Sequence, residues 1–293
     1  MRIAKIFAAA VAILTNFGLA SVVWASDGLE GLPRIGKPID GAMGFQPGAT
    51  EVARDVHWLD QMIFVIIVGI TIFVTALLIW IIIRYRKSVN PTPSTFTHNS
   101  AVEVVWTIVP ILILIVIGVF SLPVLFKQME IPKADITIKV TGNQWFWSYE
   151  YVGTDISFDA FMLQRDELKA SGYAPDEYLL AADNALVVPV NKNVVLQITG
   201  ADVIHSWAMP AFGVKLDAVP GRTAETWFNV DPGMEGIYFG QCSELCGKDH
   251  AYMPITVKVV SQEVYDKWLI RAEKEFASLP KPVLSSPLSV ASN

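Results

Sequence analysis

Two long, uninterrupted runs of apolar residues dominate the first half of the sequence. Met62–Ile83 has 22 residues and Val104–Phe126 has 23, and neither run contains a charged side chain. A helix rises about 1.5 Å per residue, so each run is long enough to cross a hydrocarbon core of about 30 Å. The pattern predicts a transmembrane hairpin over 59–126, with helices at 59–83 and 102–126 and a loop at 84–101.

The loop between these runs is positively charged. Residues 84–100 include Arg84, Arg86 and Lys87 and no acidic side chain, whereas residues 27–60 have three basic and six acidic side chains. Loops rich in lysine and arginine stay on the cytoplasmic side of a membrane. The loop is therefore predicted to be cytoplasmic, and the segments on either side of the hairpin are predicted to be exported.

The N-terminus has the pattern of a secretory signal peptide. A basic start precedes the apolar stretch Ile6–Val23, and Val23-Trp24-Ala25 resembles a small-residue cleavage site. A retained membrane helix is the alternative, but the stretch is short and is broken by polar residues. We predict a signal peptide at 1–25 and an exported segment at 26–58.

The second half of the sequence has a different pattern, with short segments of strand character separated by glycine, proline and asparagine. These segments are Ile136–Val140, Leu186–Val190, Val194–Thr199, Thr223–Val230, Ile237–Gly240 and Ile255–Val260. Short strands without long intervening helices favour an antiparallel sandwich or barrel, here at 127–260. A helix is predicted at 261–278, and the Pro/Ser-rich tail at 279–293 is predicted to be disordered.

Composition and charge agree with a membrane-anchored exported domain. Hydrophobic residues make up 53% of the chain and the mean hydropathy is +0.43, which is high for a soluble protein. From Lys127 onwards there are 14 basic and 21 acidic side chains. An acidic surface favours a basic partner, although the same charge could simply keep the domain soluble.

One cluster of side chains stands out as a candidate metal site. The chain has only two cysteines, and His205 in the segment Val203–Trp207 is the one candidate donor outside a stretch of twelve residues. The members of the cluster are His205, Cys242, Glu244, Cys246, His250 and Met253. Thiolate, imidazole and thioether donors together suit copper.

The second cysteine distinguishes this cluster from a single-copper site of the blue type, which uses one cysteine, two histidines and a weak methionine. Two thiolates four residues apart can bridge two ions, with one histidine for each ion. Three other interpretations remain open: a Cys242–Cys246 disulfide, a structural zinc and a mononuclear copper. Each of them leaves part of the donor set unused.

Five stretches of the sequence are distinctive. They are Glu103-Val-Val-Trp106-Thr-Ile-Val-Pro110, Gly142-Asn-Gln-Trp145-Phe-Trp147-Ser-Tyr-Glu150-Tyr, Asp202-Val-Ile-His205-Ser-Trp207, Asp217-Ala-Val-Pro-Gly-Arg222 and Gly240-Gln-Cys-Ser-Glu-Leu-Cys-Gly-Lys-Asp-His-Ala-Tyr-Met-Pro254. In these stretches the chain resembles cytochrome c oxidase subunit II of the bacterial, CuA-containing haem-copper oxidases, and the resemblance covers nearly all of the chain, from Gly44-Phe-Gln46 to the last predicted helix. The implied fold is a two-helix transmembrane hairpin followed by an all-β cupredoxin-like Greek-key barrel.

The resemblance also implies a ligand assignment. Cys242 and Cys246 would bridge a dinuclear CuA centre, with one copper completed by His205 and Met253. The other copper would be completed by His250 and the backbone carbonyl of Glu244. The Glu244 side chain would also reach a magnesium ion shared with subunit I. No haem is expected in this chain.

Further roles follow from the same resemblance. Trp145 matches the tryptophan that receives electrons from cytochrome c, although pattern alone favours packing it on the same strand face as Trp147. Glu103 matches a glutamate at the mouth of a proton path into subunit I; its ordinary interpretation is an interface anchor. The carboxylates that match the cytochrome c docking patch are Glu150, Asp155, Asp183 and Asp202. Any of these could equally be a solvated surface charge.

The function implied is subunit II of a cytochrome c oxidase in a bacterial inner membrane, with both termini periplasmic. It would pass electrons from cytochrome c to haem in subunit I, where oxygen is reduced to water with proton pumping. Its expected partners are subunit I, other oxidase subunits and cytochrome c, and no nucleic acid. A copper carrier would need open, exchangeable ligands, which this closed donor set does not resemble. The quinol-oxidising relative lacks the copper ligands. Nitrous oxide reductase is a soluble enzyme with a second, histidine-rich copper site, which neither four histidines nor a membrane hairpin fits.

Overall fold

The computed structural model describes residues 28–277 of the 293-residue chain. The predicted signal peptide at 1–25 and the predicted disordered tail at 279–293 lie outside the described residues.

Two long helices form the predicted hairpin. Helix α1 spans Glu51–Arg84 and α2 spans Ser100–Met129, and none of the most apolar 18-residue window of either helix is buried within the chain. Apolar side chains exposed over this length require a lipid environment, so both helices are membrane spans. Each begins at a side-chain cap, in which the oxygen of Thr50 or Asn99 accepts a backbone N–H from the first turn.

Helix α1 begins eight residues before the predicted start at residue 59. Residues 51–58, predicted as part of the exported segment, form about two further helical turns. Contacts with the rest of the chain hold these turns. Lys127 near the end of α2 pairs with Glu51 and Asp55 of α1. Arg54 pairs with Asp231 of the following domain. The hairpin is therefore tied to the β-domain at the end opposite its loop.

Ten strands form the β-domain, in two five-stranded sheets. They are β1 Ile136–Asn143, β2 Phe146–Tyr151, β3 Ser157–Ala160, β4 Leu186–Pro189, β5 Val194–Gly200, β6 His205–Met209, β7 Val214–Ala218, β8 Ala224–Phe228, β9 Gly236–Cys242 and β10 Pro254–Val260. The first sheet has the order β3-β2-β1-β5-β8 and the second β4-β10-β9-β6-β7. The predicted class, a helical hairpin followed by an all-β cupredoxin-like domain, is confirmed.

The strand pattern alone predicts antiparallel sheets, but both sheets are mixed. β1 pairs with β5 in parallel, and β4 pairs with β10 in parallel, while the other six pairings are antiparallel. Parallel neighbours require a long crossover connection, which the excursions between these strands provide. The pairing of distant segments cannot be deduced from local alternation.

Large aromatic side chains fill the space between the sheets. Trp147 and Tyr149 from the first sheet and Trp207 from the second are at most 2% exposed. The indole N–H of Trp207 donates to the hydroxyl of Tyr149 at 3.3 Å, so its buried polar group is satisfied. Helix α3, Gln262–Phe276, covers one edge of this core by packing Trp268 on Tyr151, with ring centroids 5.2 Å apart.

Candidate metal centre

Strand pairing brings the predicted donors together at one end of the second sheet. His205 is the first residue of β6 and Cys242 is the last residue of β9, two strands that pair side by side. The loop after β9 then carries Cys246 and His250 and returns to Met253, immediately before β10. A 37-residue separation in sequence between His205 and Cys242 therefore becomes a direct contact.

The donor atoms lie within a few ångströms of one another. The Sγ atoms of Cys242 and Cys246 are 3.9 Å apart, and the Nδ1 of His205 lies 4.0 Å from the Sγ of Cys242. The Sγ of Cys246 lies 3.5 Å from both the Nδ1 of His250 and the Sδ of Met253. His205, Cys242 and Cys246 form a buried group able to hold a metal ion.

The two cysteines are free thiols in this structure. Their sulfur separation of 3.9 Å is nearly twice the length of a disulfide bond, which is about 2.05 Å. The buried thioether of Met253 belongs to the same cluster. Sulfur donors of two kinds beside two imidazoles fit copper better than zinc, which takes cysteine, histidine and carboxylate ligands.

Asp202 fixes the orientation of the His205 ring. Its Oδ1 lies 2.9 Å from the Nε2 of His205, and its Oδ2 accepts the backbone N–H of Gln144 at 2.8 Å. Burial acts to raise the pKa of Asp202, but the hydrogen bonds from His205 and from backbone N–H groups lower it overall. An ionised carboxylate only accepts, so Nε2 carries the proton and the Nδ1 lone pair faces the sulfur cluster.

The two thiols have different acidities. Burial acts to raise the pKa of Cys242, but hydrogen bonds with His205 and nearby backbone groups lower it to about 7. Burial and the negative charge on Cys242 raise the pKa of Cys246 to about 12. The first proton therefore leaves readily, whereas a second thiolate needs a compensating positive charge within the cluster.

The loop also brings a backbone carbonyl to the cluster. The carbonyl oxygen of Glu244 lies 3.3 Å from the Sγ of Cys242, while the Glu244 side chain is exposed on the outside of the loop. One residue can thus face the sulfur cluster with its backbone and the surroundings with its carboxylate.

Trp145 lies in the turn before β2, where it is partly buried at the edge of the core that encloses Trp147. Its indole N–H donates to the carbonyl of Cys246 at 3.2 Å. The side-chain amide of Gln144 donates to the same oxygen at 2.8 Å. The ring is partly exposed beside the metal loop, with the Lys248 ammonium 5.5 Å from its centroid. This position joins the domain surface to a cluster residue by one hydrogen bond.

Comparisons with known proteins support one family over both halves of the chain. Residues 136–260 match the family model for the periplasmic domain of cytochrome c oxidase subunit II, and residues 38–124 match the model for its transmembrane domain. Cytochrome c oxidase subunit 2 of Cereibacter sphaeroides is 53% identical over 288 residues, which cover 94% of each chain. The chain belongs to the cytochrome c oxidase subunit II family.

A further relative agrees with this assignment. Probable cytochrome c oxidase subunit 2 of Rickettsia bellii is 43% identical over 244 residues, covering 83% of this chain and 88% of that protein. A crystal structure of the periplasmic domain of subunit II of cytochrome oxidase of Bradyrhizobium japonicum has 51% sequence identity to this chain. The match covers 50% of this chain and 99% of the crystallised chain, with a TM-score of 0.45. The chain is thus a membrane subunit of a haem-copper oxidase, with other oxidase subunits as partners, and its family implies copper.

The remaining carboxylates predicted for the docking patch lie on the surface of the family's periplasmic domain. Glu150 on β2 and Asp155 after it are exposed. Asp183 is exposed as a residue, but its Oδ1 accepts the backbone N–H of Phe161 at 2.7 Å. Asp202 differs from these three, because its carboxylate already holds His205.

Glu103 lies far from the cluster, at the loop end of the hairpin. It is in the first turn of α2, where its carboxylate accepts the backbone N–H of Asn99 at 3.3 Å. About 26 residues of helix separate it from the β-domain, which corresponds to about 40 Å. Glu103 therefore lies at the opposite end of helix α2 from the β-domain.

The residues that support the cluster could not be recognised from the sequence. Gln144 and Gly142 stand in the matched stretch beginning at Gly142, but neither is a metal donor. A Cβ on Gly142 would lie 2.9 Å from ring atoms of His205. The requirement for glycine is visible only once β1 and β6 are placed against each other.

Proposed function

We propose that this subunit accepts electrons from cytochrome c at a dinuclear copper centre and passes them to haem in subunit I. There oxygen is reduced to water, coupled to proton pumping. The observation that carries the proposal is the convergence of two free thiols, 3.9 Å apart, with two imidazole nitrogens and a buried thioether. The family supplies the electron donor and the catalytic partner.

The donor set fits two copper ions. Cys242 and Cys246 would each bridge the ions, His205 and Met253 would serve one, and His250 with the Glu244 carbonyl would serve the other. When bound, the two coppers share one electron, so that the charge change at each ion is small. Five side chains and one carbonyl would then all be ligands, whereas a disulfide or a single ion would leave some of these donors without a metal.

The chain's own contribution is a frame that changes little during electron transfer. His205 is fully buried and its ring is held by Asp202 on one side and by Trp147 on another, with ring centroids 5.9 Å apart. The indole N–H of Trp147 donates to the backbone carbonyl of Met253 at 3.2 Å. Ligands anchored this way in a close-packed interior have little freedom to rearrange.

Electron input at Trp145 gives a direct test. Trp145→Phe keeps an aromatic ring but removes the N–H that bonds the Cys246 carbonyl. We expect electron transfer from reduced cytochrome c to slow at least about tenfold, which is about 1.4 kcal/mol in barrier. Stopped-flow oxidation of cytochrome c by the purified oxidase measures this rate.

The copper spectrum and the affinity for cytochrome c should stay unchanged in Trp145→Phe, and Trp58→Phe on α1 serves as the matched control. A wild-type transfer rate in Trp145→Phe would contradict electron input at this residue. Loss of bound copper would show instead that Trp145 supports the loop.

Asp202 offers a second test, because docking and ligand orientation predict different defects. Removing the carboxylate in Asp202→Ala frees the His205 ring to turn. Loss of such a supporting partner typically weakens metal binding about 10- to 100-fold. We expect a loss of copper affinity in that range in a competition titration against a chelator.

Asp217→Ala, which removes an exposed carboxylate from the neighbouring strand β7, should leave copper affinity unchanged. If Asp202→Ala bound copper like the wild type and only raised the KM for cytochrome c, Asp202 would be a docking residue alone.

The outer roles rest on the family together with surface position. Glu150, Asp155 and Asp183 would steer a basic cytochrome c, an attraction that weakens as salt screens it. The exposed Glu244 carboxylate would reach magnesium at the boundary with subunit I. Glu103 would open a proton path from the cytoplasm.

The orientation follows from loop charge. Arg84, Arg86 and Lys87 would hold the hairpin loop in the cytoplasm of a bacterial cell. Both termini and the copper domain would then lie on the periplasmic side of the inner membrane.

A further inference from the structure

A polar cavity lies on the outer face of the β4–β10–β9 sheet, away from the metal cluster. It has a volume of about 440 Å³ and is enclosed by the N-terminal segment, the excursion between β3 and β4, and α3. Among residues 28–277, four basic side chains and one carboxylate, that of Glu30, line it. The basic residues are Arg34, Lys169, Lys258 and Arg271.

Two of these cations have partners. Arg34 donates to Glu177 at 3.1 Å, and Glu177 is 1% exposed, so this pair is a built part of the wall. Arg34 also donates to the carbonyls of Leu32 and Gly172, which joins the N-terminal segment to the excursion. Arg271 lies 3.8 Å from Glu275. The positive charge that remains is carried by Lys258 and Lys169, against Glu30.

Lys258 is the unusual member. It lies in β10 directly opposite Ile237, in the interior of the sheet, and is only partly exposed. Within residues 28–277, no hydrogen bond or ion pair reaches its ammonium group. Burial and the positive charge of Arg34 lower the pKa of Lys258, while Glu30 acts in the opposite direction. Leaving a partly buried cation without a partner destabilises the fold.

An anion would relieve this cost. We infer that the cavity binds a phosphate-class oxyanion, held by the ammonium groups of Lys258 and Lys169 beside the guanidinium of Arg271. The hydroxyl of Ser171 also lines the cavity and offers a neutral donor. Several donors converging from three segments can match the several oxygens of such an anion. This site is independent of the copper centre.

The test is a titration of the full-length chain in detergent with inorganic phosphate, at constant ionic strength, followed by isothermal calorimetry. We expect saturable binding at one site per chain. Lys258→Met keeps the apolar stem and removes the charge, and should weaken phosphate at least tenfold. Lys267→Met, which removes an exposed lysine of α3 outside the cavity, should bind like the wild type.

A second observable separates binding from folding. Phosphate should raise the thermal unfolding midpoint of the wild type and leave that of Lys258→Met unchanged. If Lys258→Met does not fold, the exposed rim variant Lys169→Met decides, with an expected several-fold loss of affinity. The inference is overturned if the wild type shows no saturable phosphate binding, or if both variants bind phosphate like the wild type.

Discussion

Replacing Cys246 with serine is expected to limit the chain to at most one copper ion and to lower turnover with cytochrome c more than about 100-fold. The Sγ of Cys246 is the most central donor of the cluster, within 3.9 Å of Cys242 and within 3.5 Å of both His250 and Met253. A serine hydroxyl does not ionise there and cannot bridge two soft ions. Losing a ligand should exceed the 10- to 100-fold effect of losing a supporting contact.

Copper content of the purified oxidase and its oxygen consumption with reduced cytochrome c measure the two effects. Serine is close to cysteine in volume, so the domain should remain folded. Ser243→Ala, at an exposed position of the same loop, is the control and should keep both copper and activity. Full copper loading in Cys246→Ser would contradict the bridging role of this sulfur.

Replacing Gly142 with alanine is expected to displace His205 without touching any donor atom. The added Cβ would lie 2.9 Å from the Cβ, Cγ and Cδ2 of His205, closer than packed carbon atoms approach. Overpacking of this kind typically costs about 1–3 kcal/mol in folding stability. Because the contact falls on the ring itself, we expect copper affinity to drop at least about tenfold as well.

A chelator competition titration and thermal unfolding of the full-length chain check the two parts of this expectation. Gly44→Ala is the matched control, since a Cβ there meets nothing within 4 Å. Wild-type copper affinity in Gly142→Ala would mean that the histidine ring can shift without loss, and that its fixed position is not needed for binding.

The membrane hairpin could be predicted from sequence because its signal is local. A run of 22 or 23 apolar residues has few structural outcomes. The start of α1 at Glu51 could not be predicted, because it depends on the Thr50 cap and on long-range ion pairs. Lys127 pairs with Glu51 and Asp55, which precede it by 76 and 72 positions in the chain.

Strands could be predicted where only one face is buried, because apolar and polar side chains then alternate along the sequence. β6 is buried at every position, so its sequence carries no alternation, and it was recognised only through His205. The parallel pairings of β1 with β5 and of β4 with β10 depend on crossovers that no local pattern records.

The donor set could be predicted because its residue types are rare in this chain and closely spaced. Its supporting residues could not, since a glutamine, a glycine and a surface aspartate have many ordinary uses. Asp202 shows the difficulty, because its sequence suggested a docking carboxylate while its contacts orient His205. Alternation alone puts Trp145 on the strand face of Trp147, but Trp145 lies in the turn, because the strand begins one residue later, at Phe146.

The most direct test of the dinuclear proposal is an electron paramagnetic resonance spectrum of the copper-loaded, full-length chain in detergent. We expect two copper ions per chain and hyperfine splitting from two equivalent copper nuclei, because bridging thiolates would let one unpaired electron spread over both ions. Coupling to a single copper nucleus would contradict it, and Cys242 and Cys246 would then have to be reassigned to a mononuclear site.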